Sequence, residues 1–136
     1  MTELPSISIV AALIRDRAGR VLLVRKRGTA AFMQPGGKRD AGEDDISALA
    51  REVDEELGCR MVDGSARPLG EFEAAAANEP GFLVKAAVYA IDISGEVVPR
   101  AEIDETLWID PRLPPQILIA PLTRDHILPL AAAETE

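Results

Sequence analysis

The order of predicted elements along this chain of 136 residues is typical of a mixed α+β fold. Two β-rich segments open the sequence, a strongly periodic helix follows, and further β-rich segments precede an apolar tail broken by prolines. Strands grouped before and after a helix favour this class over regular βαβ winding. Neither an internal repeat nor a linker divides the sequence, so we expect residues 1–136 to form a single domain.

The first two predicted strands are Ser6–Asp16 and Val21–Arg27, which are rich in β-branched and aliphatic residues. The turn-forming sequence DRAGR between them predicts a β-hairpin. The sequence AFMQP then predicts a short third strand that ends at Pro35. We expect a loop at Gly36-Gly37, because glycines allow backbone dihedrals and close approaches that a Cβ would block.

The best-defined predicted element is a helix from Asp44 to Leu57. Asp44 and Asp45 suit its N-terminal turn, and Gly58 suits its C-terminal end. Apolar residues recur at steps of three and four, which is the period of one helix face. These residues are Ile46, Leu49, Ala50, Val53 and Leu57.

The second half of the chain predicts another hairpin, a strand and a helical tail. The segments ARPLGEFEAAAA and FLVKAAVYAIDIS are joined by NEPG, in which Pro80-Gly81 fits the middle of a type II turn. The sequence ETLWID predicts a later strand. From about Pro114 the tail is predicted to be helical, with interruptions at Pro121 and Pro129.

The formal net charge of −8 disfavours nonspecific binding to nucleic acid or to anionic membranes, because those polyanions require a broad basic surface. A small phosphorylated ligand bridged by a metal ion remains compatible with this charge. The single cysteine, Cys59, cannot form an internal disulfide, and the start MTELPS lacks the features of a signal peptide. Prolines and charged residues break the apolar tail, so we expect no membrane segment and a cytoplasmic location.

Three glutamates lie close together on the predicted helix. At about 100° per residue, Glu56 lies near 40° from Glu52 and Glu55 near 300°, so all three share a face beside the apolar stripe. Their mutual repulsion destabilises the helix unless a divalent cation lies between them. The alternative is a solvated acidic face, which is the usual reading of such a helix.

The spacing of these glutamates favours the cation. The segment Gly37 to Cys59 resembles the Nudix box, the signature of the Nudix hydrolase family. Its fixed positions are occupied by Gly37, Glu43, Arg51, Glu52, Glu55, Glu56 and Gly58. The one departure is Cys59, where the family usually has an aliphatic residue, and a buried cysteine packs as a small hydrophobe. The segments QPGGK and AEIDETLWID extend the resemblance. The fold that it implies is a mixed β-sheet sandwiched between helices, an α/β/α arrangement.

The resemblance also implies a reaction. Nudix enzymes characteristically hydrolyse a pyrophosphate bond in a nucleoside diphosphate linked to a further group, with Mg²⁺ or Mn²⁺ as cofactor. By resemblance, Glu52 and Glu56 are the principal metal ligands, and Glu55 is a further ligand or the base that activates water. The carbonyl of Gly36 is an additional candidate ligand. Hard cations held by carboxylates neutralise the phosphates and orient the attacking water.

Two further features belong to the implied site. Arg51 and Glu43 resemble the ion pair that orients the glutamates, although Arg51 would also relieve repulsion along the helix. A carboxylate from outside the box often completes such a site. Glu102 and Glu105, which precede Trp108, are the candidates, with Glu102 preferred; the alternative for both is an exposed loop.

Substrate-binding residues are less well defined by the sequence. Arg25 and Arg27 alternate along a strand and would share a face that clamps phosphates, or they form an exposed basic edge. Phe32 is the best-placed aromatic residue for stacking on a base, with a core position as the alternative. Lys38 either meets a phosphate or is solvated.

The expected partner is a small nucleotide rather than a nucleic-acid polymer or a membrane. We rank ADP-ribose-like dinucleotides and sugar nucleotides ahead of oxidised nucleoside triphosphates as substrates. Asn78 and Glu79 could reach a base or ribose, although the turn explains them sufficiently. A noncatalytic nucleotide sensor is the alternative of a different class, and family members of that kind commonly lose box glutamates. Many family members form homodimers, and the sequence is compatible with a homodimer or a monomer.

Overall fold

The computed structural model describes residues 4–134. In chain order its strands are β1 (Ser6–Ile14), β2 (Val21–Lys26), β3 (Phe32–Met33), β4 (Gly36–Gly37), β5 (Arg60–Met61), β6 (Arg67–Ala75), β7 (Leu83–Ile91), β8 (Ile93–Ser94) and β9 (Ile103–Ile109). Its helical elements are α1 (Asp45–Leu57), a π-helical segment (Thr123–Ile127) and α2 (Leu128–Glu134). None of the helices in this part of the chain has the length and apolar character required to cross a bilayer.

The strands form a mixed β-layer. One sheet has the order β4-β1-β7-β6, a second has the order β3-β2-β9, and a small third sheet pairs β5 with β8. Strand β1 runs parallel to β7 along its whole length, whereas the other pairings are antiparallel. This combination of parallel and antiparallel neighbours confirms the predicted mixed sheet.

The β-layer separates two hydrophobic clusters, because successive residues of a strand point to opposite faces. The cluster on the α1 side includes Val10, Ala12, Ile14, Leu22, Val24, Leu49, Val53 and Leu57. The cluster on the α2 side includes Ala11, Leu13, Val21, Leu23, Val88, Ile127, Leu128 and Ala131. Each helix therefore covers one face of the strands, as the predicted α/β/α arrangement requires.

Helix α1 begins and ends as predicted. The side chain of Asp44 accepts a hydrogen bond from the Ser47 N–H at 2.8 Å, and Gly58 takes up the left-handed conformation at φ 64°. The predicted apolar stripe is wrong at Ile46, which is 43% exposed. Ala48 is buried instead, so the buried face is rotated toward Glu56, which is itself buried.

The predicted first hairpin is wrong beyond its turn. A single antiparallel bridge joins Arg15 to Val21, after which β1 and β2 enter different sheets. Strand β1 takes β7 and β4 as its neighbours, and β2 takes β3 and β9. Both strands bury residues on both faces, a pattern typical of interior strands with partners on each side.

The predicted second hairpin is confirmed. Strands β6 and β7 are antiparallel, with a register shift between Pro68 and Gly70. Their connecting turn is closed by the Phe82 N–H, which donates to the Glu79 carbonyl at 3.1 Å. Gly81 has φ 84°, as position three of a type II turn requires.

The tail is helical only in its second part. Residues 114–120 are not helical, and the helical run begins at Pro121. Proline suits the first position of a helix, since its missing N–H would be unpaired there in any case. Pro129 lies within the helical run, as the second residue of α2. The predicted interruptions at the two prolines are therefore wrong.

Candidate active site

The two glycines of β4 allow α1 to approach the sheet closely. Gly36 has φ 140°, and a Cβ at this position would collide with the carbonyl oxygen of Val10. A Cβ at Gly37 would collide with the carboxylate of Glu52. The backbone N–H of Gly36 donates a hydrogen bond to Glu56 Oε1 at 3.0 Å. The glycine pair therefore brings the backbone into direct contact with the helix carboxylates.

Glu56 is a buried carboxyl group, with 3% of the residue exposed. The pKa of Glu56 is raised to about 8, chiefly by burial and also by the negative charge of Glu52, while the hydrogen bond from the Gly36 N–H lowers it. Burial likewise raises the pKa of Glu52, against the opposing influence of Arg51. Removing these groups from water therefore favours either a bound proton or a nearby cation.

Arg51 joins the loop before α1 to the glutamates of the helix. Its Nε and Nη2 each donate to Glu43 at 2.8 Å, and its Nη1 donates to Glu52 at 2.7 Å and to Glu55 at 3.2 Å. Its Nη2 also donates to the Lys38 carbonyl at 3.0 Å. The guanidinium lowers the pKa of Glu43 to about 2. The structure thus contains the ion pair between Arg51 and Glu43 that the sequence predicted.

A second set of polar contacts fixes the start of α1. The Tyr89 hydroxyl donates to Asp45 Oδ2 at 2.5 Å, and Arg39 Nε donates to Asp45 Oδ1 at 2.6 Å. Arg39 Nη1 also donates to Ser8 Oγ at 2.9 Å. Because Tyr89 lies on β7 and Ser8 on β1, the first turn of the helix is tied to the sheet.

The residues fit a divalent cation in their chemistry. Glu52, Glu55 and Glu56 supply carboxylate oxygens and Gly36 a backbone carbonyl, which are the donors that Mg²⁺ and Mn²⁺ prefer. The burial of Glu56 also favours a compensating positive charge. The conformation itself assembles no cation site: nowhere between residues 4 and 134 do three His, Cys, Asp or Glu side chains converge to hold a metal ion. Glu52 and Glu55 are bonded to Arg51 instead.

A cavity of about 410 Å³ opens beside the glycine pair. Charged and polar groups around it include Lys26, Lys38, Asp40, Arg51, Glu52 and Glu102. Apolar groups around it include Ile7, Ile9, Met33, Val84, Ala120 and Leu122. Gln34, Asn78 and Glu79 complete the polar lining, so the two residues of the β6–β7 turn that were considered for base contact do reach the cavity wall.

The structure distinguishes between the two carboxylates suggested from outside the box. Glu102 lines the cavity, and its Oε1 lies 3.5 Å from Lys26 Nζ. Glu105 is absent from the cavity lining and forms an ion pair with Arg25 at 3.2 Å. The preferred residue, Glu102, is therefore the one that the fold brings toward the glutamates of α1.

Three residues proposed for substrate binding lie elsewhere. Arg25 pairs with Asp104 at 2.9 Å and lies over the ring of Phe32, 6.0 Å from its centre. Phe32 is buried in the α2-side cluster. Arg27 Nη2 donates to the Ala101 carbonyl at 3.1 Å. None of the three lines the cavity, so the geometry favours the alternatives of a core aromatic residue and a basic strand edge.

Sequence reasoning missed Lys26, which lies between Arg25 and Arg27 in the sequence and lines the cavity. The alternation of side chains along β2 indicated the face on which Lys26 lies. Lys26 follows Leu22 and Val24 at steps of two, and those residues pack on the α1 side. Arg25 belongs to the other face of the strand. It follows Val21 and Leu23 at steps of two, and those residues pack on the α2 side. Of the proposed substrate-binding residues, Lys38 alone lies at the cavity.

A family model described as the NUDIX domain matches residues 5–130 of this sequence. The chain belongs to the Nudix family. The match covers the box, the β-layer and most of the helical tail. The Nudix resemblance predicted from Gly37 to Cys59 is therefore confirmed for nearly the whole chain.

Individual Nudix relatives agree with this assignment. The structure is similar to a MutT Nudix hydrolase from Burkholderia pseudomallei, with 26% identity and a TM-score of 0.73 over 96% of this chain and 98% of that chain. It is also similar to a MutT protein from Methanosarcina mazei Go1, with 27% identity and a TM-score of 0.76 over 100% and 99% of the two chains. These comparisons confirm the predicted α+β sandwich.

A curated relative is similar over a shorter segment. An 8-oxo-dGTP diphosphatase from Haemophilus influenzae is 35% identical in an alignment over 71 residues that covers 49% of this chain and 52% of the relative. The matched segment therefore spans about half the length of that Nudix relative.

Proposed function

We propose that this Nudix protein is a metal-dependent pyrophosphohydrolase that cleaves a phosphoanhydride bond in a small nucleotide. The observation that carries the proposal is the position of Glu56, a buried carboxyl group bonded to the glycine pair, with Glu52 next to it at the edge of an open cavity. A buried glutamate and a half-buried one beside the glycine pair destabilise the fold unless a cation or proton is bound there, so they suit a metal site better than a structural role.

Each group at the site has a distinct task in this reaction. Glu52, Glu56 and the Gly36 carbonyl would hold Mg²⁺ or Mn²⁺, with Glu55 or Glu102 as a further ligand. When bound, the cation supplies charge neutralisation at the phosphates and lowers the pKa of coordinated water. Glu55, which is half exposed and pairs with Arg51 at 3.2 Å, would accept a proton from the attacking water in this proposal.

Basic groups of the chain support the glutamates and attract the substrate. Arg51 holds the loop that begins at Lys38 against α1, and so keeps the glycine pair and the glutamates in register. Lys26 and Lys38 at the cavity place positive charge where the phosphates of a nucleotide would lie. These two lysines also reduce the repulsion between an acidic protein and an anionic substrate.

The substrate class that we favour is a nucleoside triphosphate, including oxidised forms. The relative named 8-oxo-dGTP diphosphatase and the MutT-named structures support this ordering over the dinucleotides and sugar nucleotides that ranked first from the sequence. The apolar part of the cavity lining fits the faces of a nucleobase. A noncatalytic sensor is less consistent with this chain, which retains every glutamate of the box.

The test is a hydrolysis screen of nucleoside triphosphates, nucleotide sugars and dinucleotides with Mg²⁺, with Mn²⁺ and with EDTA. We expect turnover only with metal, and a nucleoside monophosphate plus pyrophosphate as products. A nucleoside monophosphate plus a sugar phosphate would instead assign the dinucleotide or nucleotide-sugar class. Glu56→Gln should abolish turnover, and Glu71→Gln, at an exposed glutamate on β6, should not. Binding without turnover by the unmodified protein would establish the sensor instead.

A further inference from the structure

Gln34 is a buried amide next to the glycine pair, with 6% of the residue exposed. Its backbone N–H donates to Thr123 Oγ1 at 3.1 Å, and the Thr123 hydroxyl in turn donates to Gln34 Oε1. Thr123 itself is fully buried in the π-helical segment. In this arrangement Thr123 holds the amide oxygen, and the amide nitrogen lies on the side away from the hydroxyl.

Within the described part of the chain, the amide nitrogen of Gln34 is left without a partner in a residue that lines the cavity. Among residues 4–134, no acceptor for Nε2 is found. Every fully enclosed side-chain nitrogen or oxygen in that range has a partner, so Nε2 is not fully enclosed. Nε2 therefore reaches open space, and Gln34 lines the cavity. A buried amide with its oxygen satisfied and its nitrogen facing a cavity is a donor available to a ligand.

The surroundings of this donor are apolar. Ile9, Val84 and Leu122 line the same cavity and pack with the α2-side cluster, on the opposite face of the β-layer from Glu52. The phosphates belong near the charged end, so the uncharged part of a nucleotide would occupy the end that contains Gln34. Apolar walls accept the faces of a heterocycle, and a single fixed donor discriminates among the groups on its edge.

We propose that Gln34 selects nucleotides whose base presents a carbonyl oxygen, rather than an amino group, to its Nε2. This inference rests on the proposed function, since it assumes that a nucleotide binds with its phosphates at the glutamates. A carbonyl oxygen accepts the hydrogen bond, whereas an amino group would place a donor against a donor and leave the buried amide unpaired. Thr123 is the positioning residue that keeps the amide from turning over.

The experiment uses two pairs of deoxynucleoside triphosphates that differ in an oxo or an amino group, inosine against adenosine and uridine against cytidine. We measure kcat/KM with Mg²⁺, and we also measure dissociation constants by calorimetry. The unmodified protein should favour the oxo member of at least one pair by about 10-fold or more. Gln34→Met should reduce that ratio to within about 2-fold, mainly through loss of the oxo substrate.

Two further variants make the result specific. Gln116→Met makes the same replacement at an exposed position, and it should leave the ratio unchanged. Thr123→Val removes the hydroxyl that orients the amide, and it should lower the ratio in the same direction as Gln34→Met. This second variant also decides the outcome if Gln34→Met does not fold, which circular dichroism would reveal.

The outcomes separate the two proposals. Equal kcat/KM for both members of each pair, or a ratio that survives in Gln34→Met and Thr123→Val, overturns the role of Gln34 and leaves the hydrolase intact. Absence of turnover with every nucleotide counts against the proposed function. In that case the ratio of dissociation constants still decides whether Gln34 reads a carbonyl oxygen.

Discussion

Replacing Glu56 with glutamine should change how the stability of the metal-free protein depends on pH. Burial raises the pKa of this carboxyl group from its ordinary 4.5 to about 8, so between these values the folded protein binds a proton that the unfolded chain releases. The free energy of unfolding must therefore fall as the pH rises. The stabilisation is complete below pH 4.5 and is lost by the time the pH passes about 8.

The size of the effect follows from the same two values. A difference between 4.5 and about 8 corresponds to roughly 5 kcal/mol when the group is fully ionised, at about 1.4 kcal/mol per pKa unit. Between pH 6 and pH 8 the parent protein should lose about 2 kcal/mol from this residue alone. Glu56→Gln cannot ionise and should lose none of it. The variant should therefore be the more stable protein at pH 8, although we expect it to be inactive.

Urea unfolding followed by circular dichroism at pH 6 and pH 8, with EDTA present, measures this difference directly. Glu71→Gln is the matched control, because Glu71 is exposed on β6 and should retain the pH dependence of the parent. Saturating Mg²⁺ should stabilise the parent at pH 8 and leave Glu56→Gln nearly unaffected. If the parent and Glu56→Gln lost the same free energy between the two pH values, the buried carboxyl group could not be the source.

Four other substitutions test separate parts of the site. Gly36→Ala should destabilise the fold by about 2 kcal/mol or more in urea unfolding, because its φ of 140° suits glycine and its Cβ would strike backbone. Gly37→Ala should keep the fold and lower kcat, because its Cβ meets only a flexible carboxylate; an unchanged kcat would contradict this. Arg51→Met should return the pKa of Glu43 from about 2 toward its ordinary 4.5 in an NMR titration. Lowering the pH from 4.5 to about 2 should then reduce the free energy of unfolding less in this variant than in the parent. Tyr89→Phe should reduce the free energy of unfolding by about 1 to 2 kcal/mol through one lost hydrogen bond, and an unchanged unfolding midpoint would show that this bond contributes nothing.

The parts of the site that are local in sequence were predictable from sequence. Helix α1 carries its own signals, an aspartate cap at one end and a glycine at the other, and the structure follows both. The clustering of Glu52, Glu55 and Glu56 depends only on helical geometry. The contact between Glu56 and Gly36 spans 20 residues, and the family resemblance indicated that the two are close, because it implied that both hold the same ion.

Contacts between distant segments were not predictable in the same way. Strand β1 pairs with β7 rather than with its neighbour in sequence, and the turn after Asp16 gave no sign that the two arms separate. Gln34 and Thr123 are 89 residues apart, and neither residue type indicates the other. The orientation of Lys26 was encoded in strand alternation, but the basic run around it drew attention to Arg25 and Arg27 instead.

The placement of the cavity across both faces of the β-layer has a consequence for how such a protein diversifies. The groups assigned to bond cleavage come mainly from one short helix and the glycine pair before it, whereas those assigned to choosing a ligand come from β1, β7, the C-terminal segment and Gln34, which lies between β3 and β4. The two sets meet only at Gly36 and its neighbours. Exchanging the C-terminal segment for that of a relative is thus a route to new ligand preference that leaves the hydrolytic machinery undisturbed.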